Sequence, residues 1–158
     1  MKMAFAFLTT VILSTLAGAQ QINTPLQDER LNPVDCLSAA EPLAPTYRSH
    51  LAKACVDIPK KVCQVRGTAK PCLTDTLSLM TEFLRKNRGA LPDNIPAAGL
   101  AANNYRHALG RLDAMLAGTD TCNDGSDLEK LECQYDQTAF HLVDLFYRAR
   151  QAQVDLSK

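Results

Sequence analysis

Six cysteines, at positions 36, 55, 63, 72, 122 and 133, constrain what this chain can fold into more than any other feature. They follow a stretch that reads as an export signal. Lys2 gives a short positive region, Ala4 to Leu16 is apolar, and Ala17-Gly18-Ala19 is a small-residue cleavage site. An even number of cysteines behind such a signal implies an oxidising compartment and three disulfides. Zinc fits poorly, because 7, 8 and 10 residues separate Cys55 from Cys63, Cys63 from Cys72 and Cys122 from Cys133, longer than the gaps of a zinc site. Sequence-near pairing suits short helices joined by tight loops, and it predicts Cys36–Cys55, Cys63–Cys72 and Cys122–Cys133.

The export reading divides the chain into a signal peptide (1–19), a polar lead-in (20–33) interrupted by Pro25 and Pro33, and one disulfide-bonded domain (34–158). Position 19 is alanine, where a lipoprotein signal would carry a cysteine. The mature chain is therefore expected to begin at Gln20, to lack a membrane anchor, and to be secreted or periplasmic. The 17 basic and 17 acidic residues give a formal net charge of +0. That balance offers no electrostatic basis for binding nucleic acid or an anionic membrane.

Apolar periodicity is helical throughout, with no alternating strand. The longest periodic stretch runs from Ser126 to about Val154. Leu128, Leu131, Tyr135, Thr138, Leu142, Leu145 and Ala149 recur in it at spacings of three and four. Ser126 with Glu129 three residues on is the signature of a capping box, and Asn123-Asp124-Gly125 before it is a turn. Pro71 to about Lys86 predicts a helix with Leu73, Leu77, Met80 and Leu84 on its core face, with Gly89 as a stop. Pro96 to about Ala117 predicts another, marked by Tyr105, Ala108, Leu109, Leu112, Met115 and Leu116. Shorter helices are expected over Val34 to Glu41, over Thr46 to about Val56 with Tyr47, Leu51, Ala54 and Cys55 on one face, and after Pro59 through Cys63. The fold class is all-α: a small disulfide-stapled helical bundle with three longer helices and two or three short ones.

Chemistry-bearing residues are few. Aligning Gly125 with the glycine of a calcium loop puts Asp120 first and Asp124 fifth, but it also puts Cys122 and Leu131 at ligand positions. A turn before a capped helix explains the segment better. His141 and Asp144 are three apart on one helix, but no serine or cysteine is placed beside them as a nucleophile. His50 and His107 have no such partner in sequence. Asp28-Glu29 and Asp127 with Glu129 read as a tail and a helix first turn rather than as facing carboxylates of a glycosidase. Arg85, Lys86, Arg88, Arg106, Arg111, Arg148 and Arg150 read as a solvated surface. No catalytic residue, cofactor or metal is assigned.

The cysteine-centred segments bear a remote resemblance to the LprI-type lysozyme inhibitor family of bacterial secreted proteins. They are Asp35-Cys36-Leu37, Ala54-Cys55-Val56-Asp57 with Cys63, Cys72-Leu73-Thr74-Asp75, and Cys122 with Glu132-Cys133-Gln134-Tyr135-Asp136-Gln137-Thr138-Ala139 and the closing Leu142 to Arg150 helix. The resemblance implies a small helical domain with spaced cysteines that binds a hydrolase such as a lysozyme. The family's Gln-x-x-Trp segment has no counterpart in a chain without tryptophan, so no inhibitory residue carries over. The leading expectation is a non-enzymatic binding protein with a protein partner such as a lysozyme. The alternatives are an enzyme of unknown type and a small-ligand or lipid carrier, with a cavity lined by Leu77, Phe83, Leu109, Leu112 and Leu142.

Overall fold

A computed structural model describes residues 32–65, 67–96, 98–118 and 122–156. The predicted signal peptide, nearly all of the lead-in, and Asp120 lie outside the described residues. Five helices follow in order: α1 (Pro33–Ala40), α2 (Pro45–Val65), α3 (Ala69–Arg88), α4 (Leu100–Leu116) and α5 (Asp127–Gln151). No strand occurs among the described residues. The class is the expected one, a small disulfide-stapled all-α fold.

Helix α5 is the axis of the packing and lies chiefly against α3 and α4. Leu131, Tyr135, Thr138, Leu142, Leu145 and Ala149 are buried along it. They meet Leu73, Met80 and Leu84 of α3 and Leu109 and Leu112 of α4 in one continuous apolar core. Phe83 of α3 stacks on Phe146 of α5, ring centres 5.7 Å apart. Leu128, also on the predicted stripe and in the first turn of α5, is 38% exposed.

The capping box forms. The Ser126 N–H and hydroxyl both donate to the Glu129 carboxylate at 2.7 Å, and the Glu129 N–H returns to the Ser126 hydroxyl at 3.4 Å. Gly125 makes this possible. Its φ is +97°, and a Cβ there would lie 2.9 Å from the Glu129 carboxylate oxygen. At the other end Gln153, with φ 60°, takes the left-handed position that closes a helix. The Val154 N–H then reaches the Ala149 carbonyl at 2.8 Å and the Gln153 N–H reaches that of Arg150 at 3.0 Å.

Several predicted boundaries shift: α3 runs Ala69–Arg88 instead of starting at Pro71, and α5 ends at Gln151 instead of near Val154. Helix α1 starts at Pro33, inside the expected lead-in, because the Asn32 side chain accepts the Val34 N–H at 3.0 Å and caps it. Helix α4 starts at Leu100 instead of Pro96, because Gly99 has φ 77° and ψ −148° and breaks any helix running through it. The two short helices expected on either side of Pro59 are one helix of 21 residues. A proline inside a helix has no N–H for the carbonyl four residues back and crowds the turn before it. Here Pro59 is buried, and the Tyr135 hydroxyl of α5 donates to the neighbouring Val56 carbonyl at 2.8 Å. The carbonyl that lacks its N–H partner because of Pro59 is that of Cys55, so this bond anchors the adjoining turn of α2 to α5 without replacing the one the proline removes.

The structure joins Cys36 to Cys55, Cys63 to Cys72 and Cys122 to Cys133, with Cα atoms 5.5, 5.4 and 5.6 Å apart. The first holds α1 on α2, and the second holds the end of α2 to the start of α3. The third ties the loop before α5 to its second turn. Three disulfides indicate a non-cytoplasmic, oxidising setting. No helix among the described residues is long and apolar enough to cross a membrane.

Candidate functional site: an open groove and an outward stripe

The residues singled out for possible chemistry are not brought together. His50 on α2 and His107 on α4 are exposed. His141 is half-buried on α5, with its ring edge-on to Phe140, centres 5.4 Å apart. Burial, then the Arg111 charge, holds its pKa below the ordinary histidine value, while Asp144 opposes them. Asp144 itself is held by Arg111 and by the Arg148 Nε at 3.2 Å. Asp127 pairs with Lys70 at 3.0 Å, and Glu129 closes the capping box. All six cysteine sulfurs are in disulfides, so no thiolate is available. Among the described residues no group of three histidines, cysteines or carboxylates is placed to hold a metal ion.

The arginines of α3 to α5 are also mostly committed locally. Arg88 grips Asp113 at 2.6 Å and Asp93 at 2.7 Å, which holds the Asp113 carboxyl below the usual range. Arg106 donates to Asn103 at 2.6 Å, and Arg150 pairs with Glu41 of α1 at 2.7 Å. They form scattered pairs rather than a cationic patch.

Of the five residues expected to line a carrier cavity, Leu77 and Phe83 are partly buried against the core, and Leu109, Leu112 and Leu142 are packed inside it. The last three are 4%, 0% and 0% exposed and belong to the closed core. An apolar opening of about 310 Å³ exists elsewhere, where α1 and the first half of α2 meet the last half of α5. Its walls are Leu37 and Ala40 of α1, Ala52 of α2, and Phe140, Val143 and Phe146 of α5. Glu41, Arg48, Ser49, Asp144, Tyr147 and Arg150 supply its polar positions. Sequence reasoning missed this groove because its walls come from both ends of the domain. Leu37 and Phe146 are brought together only by the fold.

A second apolar feature runs along the outside of α2. Tyr47 (72% exposed), Leu51 (37%), Ile58 (51%) and Val65 (86%) lie at spacings of four and seven, so they share one helix face. Tyr47 and Leu51 were expected to share a face with Cys55. Instead Cys55, Val56, Pro59 and Cys63 are the buried side. The two disulfides that hold α2 fix its rotation, and that rotation turns Tyr47 outward. His50 and Lys61 border the stripe within the same helix.

No protein-family model, curated protein or solved structure matches the chain.

Proposed function

We propose that this is a binding protein of an oxidising, extracytoplasmic compartment, secreted or periplasmic, that docks on another protein through the outer face of α2. The observation that carries the reading is the exposed stripe of Tyr47, Leu51, Ile58 and Val65 on a helix locked by two disulfides. Large apolar side chains lined up on one exposed helix face mark interaction surfaces, and an anchor already rigid in the free protein loses little freedom on binding.

The partner class we favour is a hydrolase such as a lysozyme, as the cysteine-centred resemblance implies. Glycoside hydrolases carry paired carboxylates across an open cleft. A ridge that is apolar along its crest and bordered by Lys61 and His50 has the complementary character.

A panel of lysozymes and related hydrolases, tested for binding and inhibition with the oxidised protein, decides it. Saturable binding to a panel member is expected, lost in Tyr47→Asp/Ile58→Asp with an unchanged melting temperature. Failure of every panel member removes the hydrolase. Retained binding in the double variant removes α2 as the docking face.

A further inference from the structure

The groove between α1, α2 and α5 is separate from the outer stripe, and its charges select a ligand. Along the floor, Leu37, Ala40, Ala52, Phe140, Val143 and Phe146 offer only carbon. A peptide laid there would leave backbone amides without partners, a penalty that a polymethylene chain does not incur. A volume of about 310 Å³ lies at the lower end of the range for ligand sites, roughly 300–1,000 Å³. That suits one alkyl chain better than two.

The charged groups of the polar rim are not all paired with one another. Arg150 and Glu41 neutralise each other at 2.7 Å, and Asp144 is neutralised by Arg111 and Arg148. Arg48 pairs with no carboxylate among the described residues. Its guanidinium donates one N–H to the Leu43 carbonyl, and its Nε is buried without a hydrogen-bond partner. It also stands in the first turn of α2, which holds no acidic residue. A cation there opposes the positive end of the helix dipole. A charged donor left partly unpartnered at the lip of an apolar channel, beside a helix N-terminus, is incomplete as a structural element. One anionic oxygen pair would complete it.

The geometry points to a binding site for a long-chain carboxylate, with the alkyl tail along Leu37, Val143 and Phe146 and the carboxylate at the Arg48 guanidinium. A carboxylate supplies the anionic partner that Arg48 lacks, and its planar head fits the fork of an arginine. The site does not depend on the α2 stripe, so either can fail without the other.

The test is titration of the purified, oxidised protein with parinarate, a fluorescent long-chain carboxylate, followed by displacement with palmitate or with hexadecanol. One saturable site is expected, with palmitate at least about tenfold stronger than hexadecanol, the ratio expected when one charged contact of roughly 1.4 kcal/mol is present in one ligand and absent in the other. Arg48→Met should weaken parinarate and palmitate about tenfold each and bring palmitate and hexadecanol to equal affinity once displacement is corrected for the variant's own parinarate Kd. Ala52→Phe, which fills the groove, should weaken both ligands, and circular dichroism reports whether each variant is folded. No saturable binding, equal displacement by the two ligands, or a palmitate preference that survives Arg48→Met in a folded protein would each overturn the assignment.

Discussion

The α3–α5 half and the α1–α2 half hold together by different means. In the first, leucines, tyrosines and a methionine close on one another until Leu73, Met80, Leu84, Leu112 and Leu142 have no exposed surface. In the second, α2 meets α5 sparsely and largely through polar groups. Lys60 pairs with Asp136 at 2.6 Å, Gln64 with Glu132 at 2.9 Å, and the Tyr135 hydroxyl with the Val56 carbonyl. Leu37, Val56 and the cysteines themselves join the core from this side, and two disulfides add to what that smaller apolar contribution supplies. A core stabilises by removing apolar surface from water. A disulfide, in the chain-entropy model, stabilises by restricting the unfolded chain, and it leaves the folded surface uncovered. The stapled half can therefore keep an outward apolar stripe on α2 and leave a groove open along its seam with α5.

The largest effect should come from breaking the packed half. Leu142→Ala removes a fully buried side chain at the centre of the core and should cost about 2–5 kcal/mol, measured by denaturant unfolding. Next is Cys36→Ser/Cys55→Ser, which opens a ring whose ends are 19 residues apart and should cost about 3 kcal/mol in the chain-entropy model. The comparison sharpens in how the two variants fail. The leucine variant should unfold the whole domain more easily. The cysteine variant should raise amide exchange in α1 and the first turns of α2 while α3 to α5 stay protected. Uniform loss of protection in both would show that the two halves are one cooperative unit.

This difference also governs what could be read from the sequence. The packed half was legible because burial imposes a three-and-four spacing, and six of the seven residues on the predicted α5 stripe are buried. The end signals were legible where a side chain makes the cap, as at Ser126 and Glu129. They were misleading where conformation alone decides, as at Gly99. The stapled half was legible in its cysteines but not in its surfaces. Pro59 reads as a helix stop in isolation, and the contacts that brace the helix around it, the Tyr135 hydroxyl 79 positions away and the disulfides at Cys55 and Cys63, come from other elements. Arg48 carries no local signal. Its significance depends on Glu41, Asp144 and Arg150 already being paired, which is a property of the fold.

Tyr135→Phe probes the seam between the halves. Burial pushes the Tyr135 hydroxyl well above its ordinary pKa, so it stays a neutral donor at physiological pH. Losing its bond should cost about 1 kcal/mol. The loss should fall on the α2 turn around Pro59, seen as faster exchange of the amides from Val56 to Cys63. Unchanged exchange there would show that the proline is carried by α2 alone.

The smallest effect is expected at His141, next in sequence to Leu142 but about 100° around the helix from it. His141→Gln should shift stability at pH 7.5 by less than about 0.5 kcal/mol. Its signature is in the pH dependence. The folded pKa lies below the ordinary 6.5, through burial first and then Arg111, with Asp144 opposing. Above 6.5 both folded and unfolded chains hold a neutral ring, and the shift has no effect on stability. As pH falls below 6.5 the unfolded chain takes up a proton that the folded chain resists, so stability drops until the lower folded value is passed. His50 and His107 are present in both proteins, so their contribution cancels in the difference. Denaturation midpoints at pH 7.5 and 5.5 should therefore fall further for the wild type than for His141→Gln. An equal fall would mean that the ring is solvated in the folded protein. A larger fall in the variant would mean that His141 gains a proton on folding, with Asp144 outweighing burial and Arg111.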